Sequence, residues 1–140
     1  MRFWDSSALV PLFVQQAASP AVLALHAANA EVAAWALSEV EFRSAIWRLV
    51  REHALAAADA AELLIRFETL WSGVRVVPLT EPVLVRARRV LAVHALRAAD
   101  AMQLGAALTI VYDLPAGWEF VCLDQRLSDA ARIEGFRVVP

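Results

Sequence analysis

Arg2-Phe3-Trp4-Asp5-Ser6-Ser7-Ala8-Leu9-Val10 decides how the chain is read, because it packs a short apolar strand, a carboxylate and a helix start into nine residues. Arg2-Phe3-Trp4 has the composition of a buried strand, and Asp5-Ser6-Ser7 are residues whose side chains accept backbone N–H groups at a helix N-terminus. Near the other end, Phe120-Val121-Cys122-Leu123-Asp124 repeats the order, with a helical stretch from Gln125 behind it. Two strands that each hand over to a helix through an aspartate are the signature of a parallel sheet.

The intervening sequence alternates in the same way. Ser19-Pro20 reads as a capping residue with proline at the first helical position, ahead of a helix to Asn29, and Glu31–Trp35 reads as a strand. Helices are expected from Ser38 to about His53 and from about Ala57 to Trp71, then a strand over Arg75–Pro78 and a helix from Thr80-Glu81-Pro82 to His94. A further helix over Ala98–Val111, a turn at Leu114–Gly117, a strand over Glu119–Leu123, a helix over Gln125–Glu134 and a strand over Phe136–Val139 complete the pattern. The expectation is an α/β fold: a three-layer α/β/α domain on a short, mainly parallel sheet, occupying residues 1–140 as one unit.

Composition narrows the function classes. Of 140 residues, 60% are hydrophobic and only 4 are Gly and 6 Pro, which excludes a disordered or low-complexity chain. All 13 basic residues are arginine, and 15 acidic residues leave a net charge of −2, so a polyanion would be gripped locally and not by bulk charge. The single Cys122 forms no internal disulfide, and His26, His53 and His94 are too far apart for a zinc motif, which fits a cytoplasmic protein. The uncharged stretch Ser6–Ala30 is broken by polar residues and two prolines, so no membrane span is expected.

An open parallel sheet places its ligands beyond the carboxyl ends of its strands, where Asp5 and Asp124 belong. Each alone is explained by helix capping, worth on the order of 1 kcal/mol. Asp100 stands in the first helical turn of Leu96-Arg97-Ala98-Ala99-Asp100-Ala101-Met102-Gln103-Leu104, among small and apolar neighbours where an unpaired carboxylate is costly. Glu41 is similarly placed between Val40 and Phe42, and Glu39, two positions earlier, faces another way.

Taken together, Phe3–Val10, Val40–Arg48, Leu96–Leu104 and Val121–Leu127 resemble the four acidic motifs of PIN-domain ribonucleases, and among these the VapC-type toxins of bacterial type II toxin–antitoxin systems. The resemblance implies that Asp5, Glu41, Asp100 and Asp124 form an acidic quartet that binds Mg2+ or Mn2+ and hydrolyses RNA phosphodiester bonds, inhibiting translation. Ser6 and Ser7 are secondary candidates beside Asp5. Arg43, Arg48, Arg97 and Arg126 are the candidate RNA contacts, being nearest in sequence to the acids. It further implies a cognate antitoxin, lying along apolar surface such as that of Val10–Leu25, and a homodimer. Many relatives carry Thr or Ser two residues before the fourth acid; this chain has Cys122, read here as a small buried hydrophobe. The alternatives are a catalytically silent interaction module of the same fold and a housekeeping nuclease of RNA processing.

Overall fold

The computed structural model describes all 140 residues. In chain order the elements are β1 (Arg2–Trp4), α1 (Ser6–Leu9), a 3-10 turn (Val10–Leu12), α2 (Ser19–Ala28), β2 (Val32–Trp35), α3 (Ser38–Arg51) and α4 (Ala57–Trp71). They continue with β3 (Arg75–Val77), α5 (Glu81–Val93), α6 (Ala98–Ile110), β4 (Glu119–Val121), α7 (Gln125–Ile133) and β5 (Arg137–Val139). The five strands form one parallel sheet in the order β3-β2-β1-β4-β5. The chain therefore builds outward from β1 to β3 and then returns to the opposite side of β1 with β4 and β5. The crevice between β1 and β4 is the point where strand order reverses, which is where an open α/β sheet binds its ligands.

Side chains of successive strand residues point to opposite faces, and the two cores follow that alternation. Phe3, Ala33, Trp35, Val77 and Phe120 belong to one core with α5, α6 and α7. Trp4, Val32 and Val121 belong to the other, against α1 to α4. Helices thus cover both faces, as the three-layer expectation requires. In the second core Phe42 and Phe67 stack with centroids 3.8 Å apart, and Phe13 packs edge-on to both, locking α3 to α4.

The α6 helix carries Ala101, Leu104, Ala106, Ala107 and Leu108 fully or almost fully buried. Its Gly105 admits the backbone of α5: a Cβ built there would lie 2.9 Å from the Val83 carbonyl oxygen and 3.0 Å from the Ala87 nitrogen. Small residues let α6 sink deep enough for its first turn to reach the sheet's carboxyl edge. One local expectation is corrected. Ser19 is the first residue of α2 and Ala18 is the cap, because the Ser19 hydroxyl is turned inward to donate to the carbonyls of Pro11 (2.8 Å) and Val14 (3.1 Å). No helix is long and apolar enough to cross a membrane.

Candidate active site

Asp5 follows β1 directly, and its N–H donates to the Val121 carbonyl of β4 at 2.9 Å, continuing the ladder one residue past the strand. Its side chain then turns to cap α1, accepting the Ser7 N–H on Oδ2 at 3.0 Å and the Ser7 hydroxyl on the same oxygen. Ser7 Oγ in turn accepts the Leu123 N–H at 3.0 Å, so the loop after β4 is tied to Asp5 through one serine. Asp124 caps α7 by accepting the Leu127 N–H at 2.8 Å. Both aspartates therefore do what capping residues do, and both do it at the same crevice.

Glu41 comes from the first turn of α3 and Asp100 from the first turn of α6. Asp100 lies three residues after Arg97, whose backbone N–H at the start of the helix favours its charged form. Asp5, Ser6, Ser7, Glu41, Arg48, Asp100 and Asp124 line a single cleft of about 310 Å³, completed by Val10, Gln16, Ala45 and Leu49. Four segments widely separated in sequence thus deliver one carboxylate each to one cavity.

The electrostatics follow from that convergence. Burial raises the Asp5 carboxyl well above the usual carboxylate range, against the pull of its Ser7 and Ser6 hydrogen bonds, and the charge of Asp100 adds to the rise. Burial likewise raises Glu41; the Ser6 hydroxyl and Gln103 amide oppose it, and Asp5 and Asp100 reinforce it. Asp100 is raised by desolvation and then by Asp124, with Arg97 and Arg126 pulling the other way. No three of the acidic side chains are drawn close enough together to form a closed metal-binding group. The donor set nevertheless has the chemistry of a hard divalent cation site: every ionisable group lining the cleft except Arg48 is a carboxylate, three of the four are destabilised as anions, and the remaining polar donors are oxygens and one amide. A cation bound there would offset the repulsion among these carboxylates.

The arginine candidates divide. Arg48 lines the cleft, and Arg97 and Arg126 stand within electrostatic reach of Asp100; none of the three is engaged in an ion pair. Arg43 is not a cleft residue: its guanidinium bridges Glu39 (3.1 Å) and Glu68 (3.0 Å) across α3 and α4. The same contact shows why Glu39 is not the second acid, since it faces Arg43 and not Glu41's cavity.

One residue at the site was not singled out in the sequence, and another was read only as a buried hydrophobe. Gln103, 1% exposed, donates from Nε2 to Glu41 Oε2 at 2.6 Å. Cys122 is more than a passive hydrophobe: its Sγ lies 3.7 Å from Asp5 Oδ2 and 3.5 Å from the Asp124 carbonyl oxygen. Burial first, and then the charge of Asp5, pushes its thiol up to about 12, so it stays a protonated thiol able to donate to Asp5. A polar signal was available for Gln103, an amide between Met102 and Leu104 on an alanine-rich helix; for Cys122 the signal was its place two residues before Asp124, where many relatives carry Thr or Ser.

Comparison with known proteins agrees with this geometry. The PIN domain family model matches residues 2–133. Ribonuclease VapC45 and Ribonuclease VapC49, from two strains of Mycobacterium tuberculosis, are each 31% identical over 138 residues, covering 99% of this chain and 94% of theirs. Among solved structures, FitAcB from Neisseria gonorrhoeae superposes with a TM-score of 0.73 at 19% identity, covering 100% of this chain and 97% of that one. The Mycobacterium tuberculosis VapC20 toxin, described as cleaving the sarcin–ricin loop, superposes with a TM-score of 0.67 at 22% identity over the whole of both chains. At those identities the two structures speak for the fold, whereas the family model and the VapC relatives reach the sequence itself. With the acidic motifs in order along the chain and their carboxylates on one cleft at the sheet's switch point, this protein belongs to the PIN-domain family, alongside the VapC ribonucleases.

Proposed function

We propose that the chain is an endoribonuclease whose acidic cleft works with Mg2+ or Mn2+, that Asp5, Glu41, Asp100 and Asp124 hold the cation, and that it is the toxin of a toxin–antitoxin pair acting on RNA of the translation apparatus. The observation that carries the reading is the arrival of four carboxylates, from β1, α3, α6 and the β4–α7 junction, in one cavity. A divalent cation bound among them supplies charge neutralisation for the phosphate and lowers the pKa of water beside it. The chain's own residues do the rest. Ser7 holds Asp5, Gln103 holds Glu41 and the α7 N-terminus holds Asp124, so three of the four carboxylates are gripped from the protein side before substrate arrives. Arg48 within the cleft and Arg97 and Arg126 beside Asp100 contact the phosphates flanking the scissile one, positioning the strand without reading bases.

The cleft contains no histidine or lysine to deprotonate a ribose 2′-hydroxyl. With water activated beside the cation as the nucleophile, the products would end in a phosphate monoester and a free hydroxyl. Mass spectrometry of fragments from a mixed RNA pool tests this: EDTA-sensitive cleavage with linear phosphate ends supports the proposal, and 2′,3′-cyclic phosphates overturn it.

The partner side of the proposal rests on a second surface. Leu12, Phe13, Leu23 and Leu70 line an open groove of about 540 Å³ with Arg66 and His26 at its polar edge, whereas Val22 of the same stretch is fully buried in the core. A cognate antitoxin would lay an apolar face there and offer an acidic side chain to Arg66. The family resemblance extends the proposal to a homodimer in the cytoplasm, which light scattering of the purified chain checks.

A further inference from the structure

We infer that Gln103 is a positioning residue that fixes the Glu41 carboxylate for cation binding, acting as a buried amide bridge between α6 and α3; this rests on the reading of the cleft as a cation site. Gln103 is 1% exposed and Ser38, at the start of α3, is fully buried. A buried amide without partners is costly, and an apolar side chain of similar volume would fill the same space, so packing alone gives no reason for glutamine among Ala101, Met102 and Leu104. The hydrogen bonds give one. Gln103 Nε2 donates to Glu41 Oε2 at 2.6 Å and to Ser38 Oγ at 3.0 Å, and the Ser38 hydroxyl faces Gln103 Oε1 at 3.3 Å. An ionised carboxylate only accepts, so the amide nitrogen must face Glu41; the serine, able to donate and accept, satisfies the amide beside it while the carboxylate sets its orientation.

The geometry also explains why the bridge is needed. The α3 helix packs with Phe42 and Ile46 on one face of the sheet, and α6 packs with Ala101 and Leu104 on the other. The Glu41 carboxyl meets the Ser6 hydroxyl from the α1 side and the Gln103 amide from the α6 side. Gln103 lies three residues after Asp100 and so on the same face of α6. Its bond to Glu41 sets the acid of one layer relative to the acid of the other.

The test is Mn2+ binding measured by calorimetry on folded wild type, Gln103→Met, Glu41→Gln and the double variant, with thermal midpoints in EDTA alongside. Partners that hold a metal ligand typically account for about 10-fold to 100-fold in affinity, so Gln103→Met is expected to weaken Mn2+ binding about 10-fold. Its KM for RNA at saturating Mn2+ is expected to stay unchanged, and it should add nothing further in the Glu41→Gln background. Gln103→Leu gives the same comparison should the methionine variant not fold. Wild-type affinity in the substituted chain, or a loss that is fully additive with Glu41→Gln, overturns the inference while leaving the cation site standing. A wild-type chain that neither binds Mn2+ nor cuts RNA overturns the reading of the cleft, and this inference with it.

Discussion

Asp5 and Asp124 leave adjacent parallel strands at one crevice: Trp4 is paired with Val121, Asp5 stands one residue beyond it, Asp124 three beyond, and each side chain caps the helix that follows. Capping and catalysis place different demands on these carboxylates. An amide oxygen can still accept the Ser7 or Leu127 N–H, whereas it carries no charge for a cation. Asp5→Asn and Asp124→Asn are therefore expected to keep the fold, within a few degrees in thermal midpoint, and to lose at least ~100-fold in kcat/KM, or about 2.7 kcal/mol of barrier. Glu39→Gln, which touches only the Arg43 pair, is expected to change kcat/KM less than about 3-fold, an effect below ~0.7 kcal/mol.

The raised carboxyls make a prediction about pH in the cation-free protein. Asp5, Glu41 and Asp100 all titrate higher folded than unfolded, mainly through burial. Their contribution to stability is fully present below the unfolded carboxylate range of about 4 and is lost as pH rises through the folded values. In EDTA the thermal midpoint should consequently carry a component that declines as pH rises above about 4. Asp100→Asn should raise the midpoint at neutral pH by a few degrees and leave it unchanged in the acid limit. Added Mn2+ should stabilise wild type at neutral pH and much less in acid.

Substitution of the free arginines separates grip from chemistry. Arg48→Ala, Arg97→Ala and Arg126→Ala should each weaken binding of single-stranded RNA to the inactive Asp100→Asn chain. Each lost phosphate contact should flatten the slope of log affinity against log salt by about 0.7. Arg43→Ala should leave that slope alone and lower the thermal midpoint slightly, since it is committed to Glu39 and Glu68.

Gly105→Ala reads the packing of α5 on α6. A helical Gly→Ala change alone favours the helix by up to about 1 kcal/mol, but here the new methyl would meet the Val83 and Ala87 backbone at 2.9–3.0 Å. Backbone cannot swing aside, so the net effect should be destabilising by about 1–3 kcal/mol. Gly73→Ala, where the nearest atom is the Leu70 carbonyl oxygen at 3.6 Å, is the matched control and should be close to neutral in a denaturant midpoint.

The parts of this molecule that were legible in its sequence are those governed by local chemistry. Strand–aspartate–helix occurs twice because the same residue ends a ladder and caps a helix, and α4 runs over Ala57–Trp71 as its apolar periodicity and the following Gly73 require. The parts that were not legible depend on partners far along the chain. Arg43 sits three residues from nothing but helix, and only the docking of α4 brings Glu68 to it. Gln103 finds its acid 62 positions away. Ser19 has the composition of a cap, yet the turn at Pro11–Val14 offers its hydroxyl two carbonyls. Cys122 gains a role only because the β1–β4 pairing sets its sulfur beside Asp5.

The central claim is that the four carboxylates act together through a divalent cation to cut RNA. Its most direct test is cleavage of a mixed single-stranded and structured RNA pool by the purified chain with Mg2+, Mn2+ or EDTA, beside folded Asp5→Asn and Asp100→Asn. Cutting that requires the cation and vanishes in both variants is the predicted result. Cutting that persists in EDTA, or that either variant retains at wild-type rate, would contradict it.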